Sequence, residues 1–370
     1  MILKELNINN YKNIESAHLH FSDKLNCIIG SNGMGKTNLL DSIFFLSFAR
    51  SYVYLPDSML IRDGSDISVL EGVYQMDDQT EKIFCGIQRG KSKVLKRNKK
   101  PYKKISTHIG AFPLVMTSPS DFELIKGGSD ERRKFMDMNI SQASSPYISA
   151  LIRYKRLLEQ RNSMLKQFGL DRGLLRIVDG QMASLAVEII SRRKGWLEEL
   201  IPLFQRYYAN IAPDSDDVRL RYSHSFASEL PSEESIMSEW EDSLSKDLTL
   251  GYTTLGPHRD DLEMLLGDVL IRKVGSQGQN KTFLVALKFA QFNMLSALYP
   301  RITPLLLLDD VFDKLDSHRV DRIVQLVAGE EFGQIFMTDT NRKYLDQILS
   351  QLPTDHYSIF RAERGSFKEI

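Results

Sequence analysis

Cysteine is nearly absent from this 370-residue chain, where only Cys27 and Cys85 occur. Two thiols cannot build a disulfide framework or a cysteine-rich zinc site, and such usage is expected of a reducing, cytoplasmic compartment. Net charge is absent as well, with 48 Lys and Arg against 48 Asp and Glu. That excludes a uniformly basic histone-like binder and, taken as a sum, argues against nucleic acid as a partner. Long apolar runs are missing. The longest, around Ile302 to Leu308, falls far short of the about 18 residues that suggest a membrane span, so no membrane association is expected. The start, MILKELNINNYKN, alternates apolar and polar residues and lacks a signal-peptide core. Internal repeats and low-complexity tracts are also lacking. What remains, 42% hydrophobic and 26% charged residues, is ordinary for a globular chain of about two domains.

Three textures follow one another. From residue 1 to about 120, short strand-like runs (Ile2 to Ile8, Leu25 to Ile29, Ile67 to Tyr74, Phe112 to Met116) surround a helix-like run from Asn38 to Ala49. From about 121 to 250, strand signals largely vanish. Ile148, Leu151, Ile152, Leu158, Leu165 and Phe168 recur at helical spacing up to Gly169, and a second run carries Leu174, Ile177, Leu185, Ile189, Trp196 and Leu200 until Pro202. Two antiparallel helices forming a short arm are the economical reading. From 251 to 370 mixed texture returns, with apolar strands at Pro304 to Leu308 and Gln334 to Met337. The expected fold is therefore α/β: a discontinuous core from 1–120 and 251–370, interrupted by a mainly helical lobe at 121–250.

The strongest local signal is Gly30-Ser31-Asn32-Gly33-Met34-Gly35-Lys36-Thr37, followed by Asn38, which fits the phosphate-loop pattern G-x-x-x-x-G-K-S/T between a strand and a helix. Its glycines let backbone N–H groups turn toward phosphates, and the helix N-terminus adds favourable dipole charge. Lys36 is placed to reach the β- and γ-phosphates of ATP, and Thr37 to ligate Mg2+. A second motif, Pro304-Leu-Leu-Leu-Leu-Asp309-Asp310, ends a buried strand in two carboxylates. Asp309 is the Mg2+ candidate, and Asp310 the candidate general base for an attacking water. Downstream, Lys314-Leu315-Asp316 starts a helix-like segment. The hydroxyls of Thr338-Asp339-Thr340 either sense the γ-phosphate, which makes Thr338 a nucleotide-binding candidate, or cap a helix before Arg342.

A third motif, Ser276-Gln277-Gly278-Gln279, opens a helix that carries Phe283, Leu287, Ala290, Met294 and Leu298 on one face. A hydroxyl, backbone N–H groups and a dipole end make an anion site. One γ-phosphate does not need two such sites in one subunit; in ATP-binding-cassette (ABC) proteins the second reaches across a dimer.

The order of phosphate loop, helical insertion, Ser-x-Gly-Gln turn and paired-carboxylate strand resembles the ABC-type ATPase heads of the SMC and double-strand-break-repair families. In detail it is similar to the RecF family of bacterial recombination mediators. The resemblance rests further on Tyr11-Lys12-Asn13, Ala49-Arg50-Ser51, Ser118-Pro119-Ser120-Asp121-Phe122, Arg132-Arg133-Lys134-Phe135-Met136-Asp137 and Gly256-Pro257-His258-Arg259-Asp260-Asp261-Leu262. It implies an ABC-type head with an inserted helical lobe, and it adds Lys12 to the nucleotide-binding residues. It implies a weak, DNA-stimulated ATPase that dimerises with ATP to clamp DNA, as duplex or as single-strand/duplex junctions. It also implies RecO- and RecR-type partners and loading of RecA-type recombinase at single-strand gaps. Two transporter features are missing: a Gln near Ser118 to Asp121, and a His at Thr338-Asp339-Thr340. Asp310 stands where transporters carry Glu, one methylene longer, which suits slow hydrolysis. The alternatives are an ATP-binding DNA clamp with little turnover and a transporter's nucleotide-binding subunit.

Zero net charge hides a segregated distribution. Residues 89–104 hold nine basic residues among sixteen and no acidic one, while 213–242 hold nine acidic residues against two arginines. Lys91, Lys93, Lys96, Arg97, Lys99, Lys100, Lys103 and Lys104 are DNA-backbone candidates; the alternative is a solvated hairpin whose lysines discourage edge pairing. Arg153, Lys155, Arg156 and Arg161 on the arm are a further basic set. His18 and His20 share a strand face without a third ligand, so no metal site is expected there.

Overall fold

The computed structural model describes residues 1–167, 169–213, 217–340, 346, 348–349 and 356–370. In chain order these residues form β1 (Ile2–Tyr11), β2 (Ile14–His20), β3 (Leu25–Ile29), α1 (Lys36–Phe48), β4 (Ile67–Met76), β5 (Gln79–Gln88), β6 (Val94–Arg97), β7 (Lys100–Pro101) and β8 (Leu114–Thr117). Then come α2 (Phe122–Lys126), α3 (Ser129–Ala143), α4 (Ser145–Leu165), α5 (Arg172–Ile211), β9 (Val218–Ser223), α6 (Glu233–Leu250), β10 (Asp261–Leu266), β11 (Val269–Leu270) and α7 (Ile271–Val274). The last are α8 (Gln277–Leu298), β12 (Leu305–Asp309), α9 (Ser317–Ala328), β13 (Ile335–Asp339), β14 (Tyr357–Glu363) and β15 (Ser366–Glu369). No helix among the described residues is long and apolar enough to cross a membrane.

The chain divides into two compact units: Met1–Phe122 with Leu203–Ser215 and Gly275–Ile370, and Glu123–Pro202 with Asp216–Val274. The first unit holds two sheets. One is antiparallel, in the order β2-β1-β4-β5-β6-β7; the other, β15-β14-β3-β13-β12-β8, is parallel from β14 to β8. Leu305 to Asp309 of β12 are all buried, as a central parallel strand covered on both faces requires. Helix α1 packs against strands of both sheets, which explains its lack of an apolar stripe: eleven of its residues, from Lys36 to Phe48, are buried. Helix α8 packs on β8, and residues Thr282 to Phe292 are buried all round. The expected face of α8 is therefore only part of the buried surface, and Leu298, placed on it, is half exposed.

In the second unit, α4 and α5 run antiparallel, because Arg161 meets Asp179 and Tyr147 meets Arg193. Two expectations are corrected here. The second arm helix does not stop at Pro202 but continues to Ile211. A proline inside a helix costs about 3 kcal/mol. Beyond it Phe204, Tyr207, Tyr208 and Ile211 are buried, Phe204 lying 4.6 Å from the Phe283 ring, and burial of such side chains offsets that cost. Nor does the expected lobe end at 250. Strand β9, which the local pattern did not announce, pairs antiparallel with β10 from Val218↔Leu266 to Ser223↔Asp261, so the unit reaches Val274. The signal for β9 was the alternation Val218, Arg219, Leu220, Arg221, with the valine and leucine buried and the arginines exposed.

The arm's apolar stripe and basic face also differ from expectation. Ile152, Leu174 and Ile177 are exposed, whereas Arg161 is wholly buried. Its guanidinium donates to Asp179 Oδ1 at 2.7 Å, Asp247 Oδ2 at 2.6 Å and Thr253 Oγ1 at 2.9 Å, and lies 5.5 Å from the Trp240 ring centre. Arg161 thus fastens α4 to α5 and α6 and is not a surface cation. Truncation leaves two carboxylates without their counter-ion, one fully and one largely buried. Arg161→Ala should therefore destabilise the protein by about 3–5 kcal/mol, read by urea denaturation. A loss below about 1 kcal/mol would return Arg161 to the exposed set.

Candidate nucleotide site

The phosphate loop leaves β3 and enters α1 at Lys36, its N-terminus formed by Gly35 at φ +104°. A side chain at Gly35 would meet Asn13 within 3.0 Å, and one at Gly30 would meet the Ala362 carbonyl at 2.6 Å. Gly35 therefore needs glycine for its positive φ, and Gly30 for close approach to another backbone. Ser31, Asn32, Gly33 and Thr37 are exposed, Met34 and Asn38 are half-buried, and Lys36 is buried. The Lys36 ammonium rests on the loop's own carbonyls, 2.7 Å from Gly30 O and 3.3 Å from Ser31 O. The Asn38 amide donates to Asn13, linking the loop to the turn after β1.

Asp309 ends β12 fully buried. Thr37 Oγ1 donates to its Oδ2 at 2.8 Å, and Thr338 Oγ1 donates to its Oδ1 at 2.6 Å. Burial pushes this carboxyl above its ordinary value, and the two hydroxyl donors pull it back. The parallel pairing Asp309↔Thr338 places Thr338 there. Its hydroxyl also accepts the Asp310 N–H at 3.1 Å. Thr338 is therefore a buried partner of both carboxylate residues. The alternative reading, a helix cap before Arg342, falls on residues 341–345, outside the described residues.

Ser276 and Gln279 form a reciprocal cap at the start of α8: Ser276 Oγ accepts the Gln279 N–H at 3.2 Å, and Gln279 Oε1 accepts the Ser276 N–H at 2.9 Å. Ser276 and Gln277 are exposed, Gly278 half-buried. Lys12 lies 2.7 Å from Asp41, a buried carboxylate that also accepts from Tyr11, Ser51 and the Tyr52 N–H. Contact between Lys12 and a nucleotide would require it to leave or share Asp41. Asp41 was missed in the sequence because an acid inside an apolar helix has no local signature; its signal was distributed over Tyr11, Lys12 and Ser51. His18 and His20 are exposed, and no group of three metal-binding side chains occurs among the described residues.

A sequence model of the AAA ATPase domain matches residues 1–164. The DNA replication and repair protein RecF of Porphyromonas gingivalis strain W83 is 50% identical over 367 residues, covering 99% of each chain. That of Parabacteroides distasonis is 50% identical over 370 residues, covering 100% of each. This chain belongs to the RecF family. A solved structure of the recombination mediator protein RecF with ATP, from the RecFOR pathway, covers 100% of this chain and 97% of its own at 30% identity, with a TM-score of 0.89. An Smc head, 16% identical with a TM-score of 0.58, shares the fold, so the architecture is that of an ABC-type ATPase head.

Other RecF-like blocks are held by polar contacts of their own. Ser118 caps a turn whose Asp121 pairs with Lys288 at 3.1 Å and accepts from Tyr52. In the second unit, Arg132 grips Asp261 with two bonds at 2.6 and 3.0 Å. Buried Arg193 joins Asp137 to Asp260. His258 sits within this network: Nε2–H donates to Thr253 O at 3.0 Å, so Nδ1 accepts from Tyr154 OH at 2.9 Å. Burial lowers the His258 pKa from 6.5 to about 4. As pH falls from 6.5 to 4 the unfolded chain binds a proton here and the folded chain does not, so stability is lost through that window. The expected contribution is up to about 3 kcal/mol. Urea midpoints of wild type and His258→Gln across that window test it: the variant should show the shallower decline, and equal slopes would count against it.

Proposed function

We propose that this chain is an ATP-dependent DNA-binding repair protein of RecF type, in which ATP joins two copies around DNA and slow hydrolysis lets them part. The observation that carries this reading is the contact of Thr37 with Asp309 beside the Lys36 loop, in the same unit as a helix-opening turn whose Ser276 and Gln277 are exposed. In this reading the loop amides receive the phosphates, and Lys36 exchanges the Gly30 and Ser31 carbonyls for β- and γ-oxygens. Thr37 Oγ1 and Asp309 Oδ2, 2.8 Å apart, are hard oxygen donors of the kind Mg2+ takes, so these two would hold it. Mg2+ would supply charge neutralisation at the phosphates. Asp310 accepts the proton of the attacking water, and Ser276 to Gln279 of a second copy close the γ-phosphate side.

ATP then acts as a switch, since only the dimer completes the site. The family relationship supports DNA as duplex or junction, RecO- and RecR-type partners, RecA-type recombinase loading and a cytoplasmic location. The short Asp310 carboxylate favours weak turnover; at its extreme this becomes a clamp that hardly hydrolyses, which phosphate release with and without DNA distinguishes.

The basic stretch supports a DNA-facing edge, though not with all its charges. Arg97 is bound to Glu81 through two 2.9 Å bonds, Lys93 pairs with Asp57 at 3.0 Å, and Lys96 lies over the Phe84 ring. Lys91, Lys99, Lys100, Lys103 and Lys104 are exposed on or beside the β6–β7 hairpin.

Lys36→Ala should lose ATP-driven dimers in sedimentation, whereas Ser276→Arg should bind ATP within about threefold of wild type yet stay monomeric. Dimers in either variant would contradict the trans-site reading. Replacing the five exposed lysines by Ala should weaken duplex binding and flatten its salt dependence, by about 0.9 in log–log slope for each phosphate no longer neutralised. An unchanged slope would assign them to protection of the sheet edge.

A further inference from the structure

The backbone of Asp310 is in the left-handed region, φ +47°. An L residue holds such a conformation only where its surroundings fix it, although Asp tolerates it better than most. Here both backbone polar groups of the residue are held. The Asp310 N–H donates to Thr338 Oγ1 at 3.1 Å, and the Asp310 carbonyl accepts from Lys281 Nζ at 2.9 Å. The only other bond to that carbonyl among the described backbone groups is a long one, 3.4 Å, from the Asp313 N–H. Lys281 stands on α8, five residues after Ser276, half-buried and within electrostatic reach of Asp313, Asp121, Asp310 and Asp309. The same helix start abuts the segment after Asp310: a side chain at Gly278 would approach Arg319 at 3.0 Å and the Lys314 carbonyl at 3.7 Å.

We propose that Lys281 is a positioning residue for hydrolysis: through the Asp310 carbonyl it fixes the left-handed backbone that aims the Asp310 carboxylate, and so ties that carboxylate to the helix whose N-terminus meets the second copy's nucleotide. This rests on the reading of Asp310 as the hydrolytic base. No covalent role falls to Lys281; it holds a carbonyl through an N–H bond. A load on Ser276 from the facing nucleotide acts along α8 to Lys281, five residues later, and through its bond reaches the chain's own Asp310 carbonyl. Turnover at one site then depends on occupancy of the turn from Ser276 to Gln279 in the same chain, not only on assembly of the pair.

The experiment compares the full-length wild type with Lys281→Met, Lys281→Arg and Asp310→Asn, reading ATP affinity, dimer fraction by sedimentation, and kcat and KM for phosphate release. Lys281→Met should keep KM within about threefold and form ATP-driven dimers, yet lose at least tenfold in kcat. Its turnover per chain should stop rising with dimer fraction. Lys281→Arg, which keeps a donor, should restore kcat to within about threefold. If Lys281→Met does not fold, Lys281→Ala carries the same comparison. A kcat within twofold of wild type in the variant lacking the donor, or a loss shared equally by KM and dimerisation, overturns the positioning role. Unchanged kcat in Asp310→Asn instead overturns the assignment of Asp310 itself, whatever the lysine variants do.

Discussion

The first unit depends on a carboxylate that has been taken out of water. Asp309 closes an all-buried strand and bonds to no cation among the described residues; two threonine hydroxyls satisfy it instead, one from the phosphate-loop helix and one from the neighbouring strand. An uncompensated buried charge would cost several kcal/mol, so this trio constrains everything around it. Strand β13 must pair with β12 in the register that brings Thr338 opposite Asp309, and α1 must begin where Thr37 can reach across. Parallel pairing, the glycine-rich turn and the helix start are thus consequences of one local requirement. That requirement is met by hydroxyls whose bonds can be exchanged for a ligand's.

Helix α1 illustrates how the same unit can be read from its motifs yet not from its periodicity. Its boundaries follow from the Gly-Lys-Thr start and the left-handed residue at Ala49, but its sides carry no amphipathic stripe because a sheet packs against each. The parallel strands β3, β12 and β13 were legible for a related reason: a strand buried on both faces is a continuous apolar run. Among the strands that no expected run announced, β5 and β9 alternate buried and outward-facing residues, and the polar outward positions dilute the signal. Pro202 misled in the opposite direction. A proline is a strong local stop, and only the aromatic packing of Phe204 and Tyr208 on Phe283, invisible in the local pattern, overrides it.

The nucleotide site was legible because phosphate chemistry demands fixed residue types at fixed spacing. What the spacing could not supply was the state of each side chain. Lys36 rests on its own loop, Lys12 on Asp41, and Thr338 beneath two carboxylate residues rather than at a solvent-facing phosphate position. The charge count behaved similarly. A stretch of nine basic residues reads as one feature, but Arg97 and Lys93 hold Glu81 and Asp57, and only part of the stretch keeps its charge for a partner.

The family-like blocks outside the site teach a further distinction. Arg132 with Asp261, and Arg193 with Asp137 and Asp260, join the Arg-Arg-Lys-Phe-Met-Asp segment to the Gly-Pro-His-Arg-Asp-Asp segment by ion pairs within one unit. Arg161 does the same for three helices. Hydrophobic residues of equal volume would often stabilise such positions as well or better, so stability alone does not account for the choice. Directionality does: a guanidinium flanked by two carboxylates fixes which helix turns face each other, where apolar side chains would tolerate a slip. His258, neutral and held between Thr253 and Tyr154, belongs to that same fixing of register. Motifs that identify a family are therefore of two kinds, those set by the ligand's chemistry and those set by the register of a buried polar network.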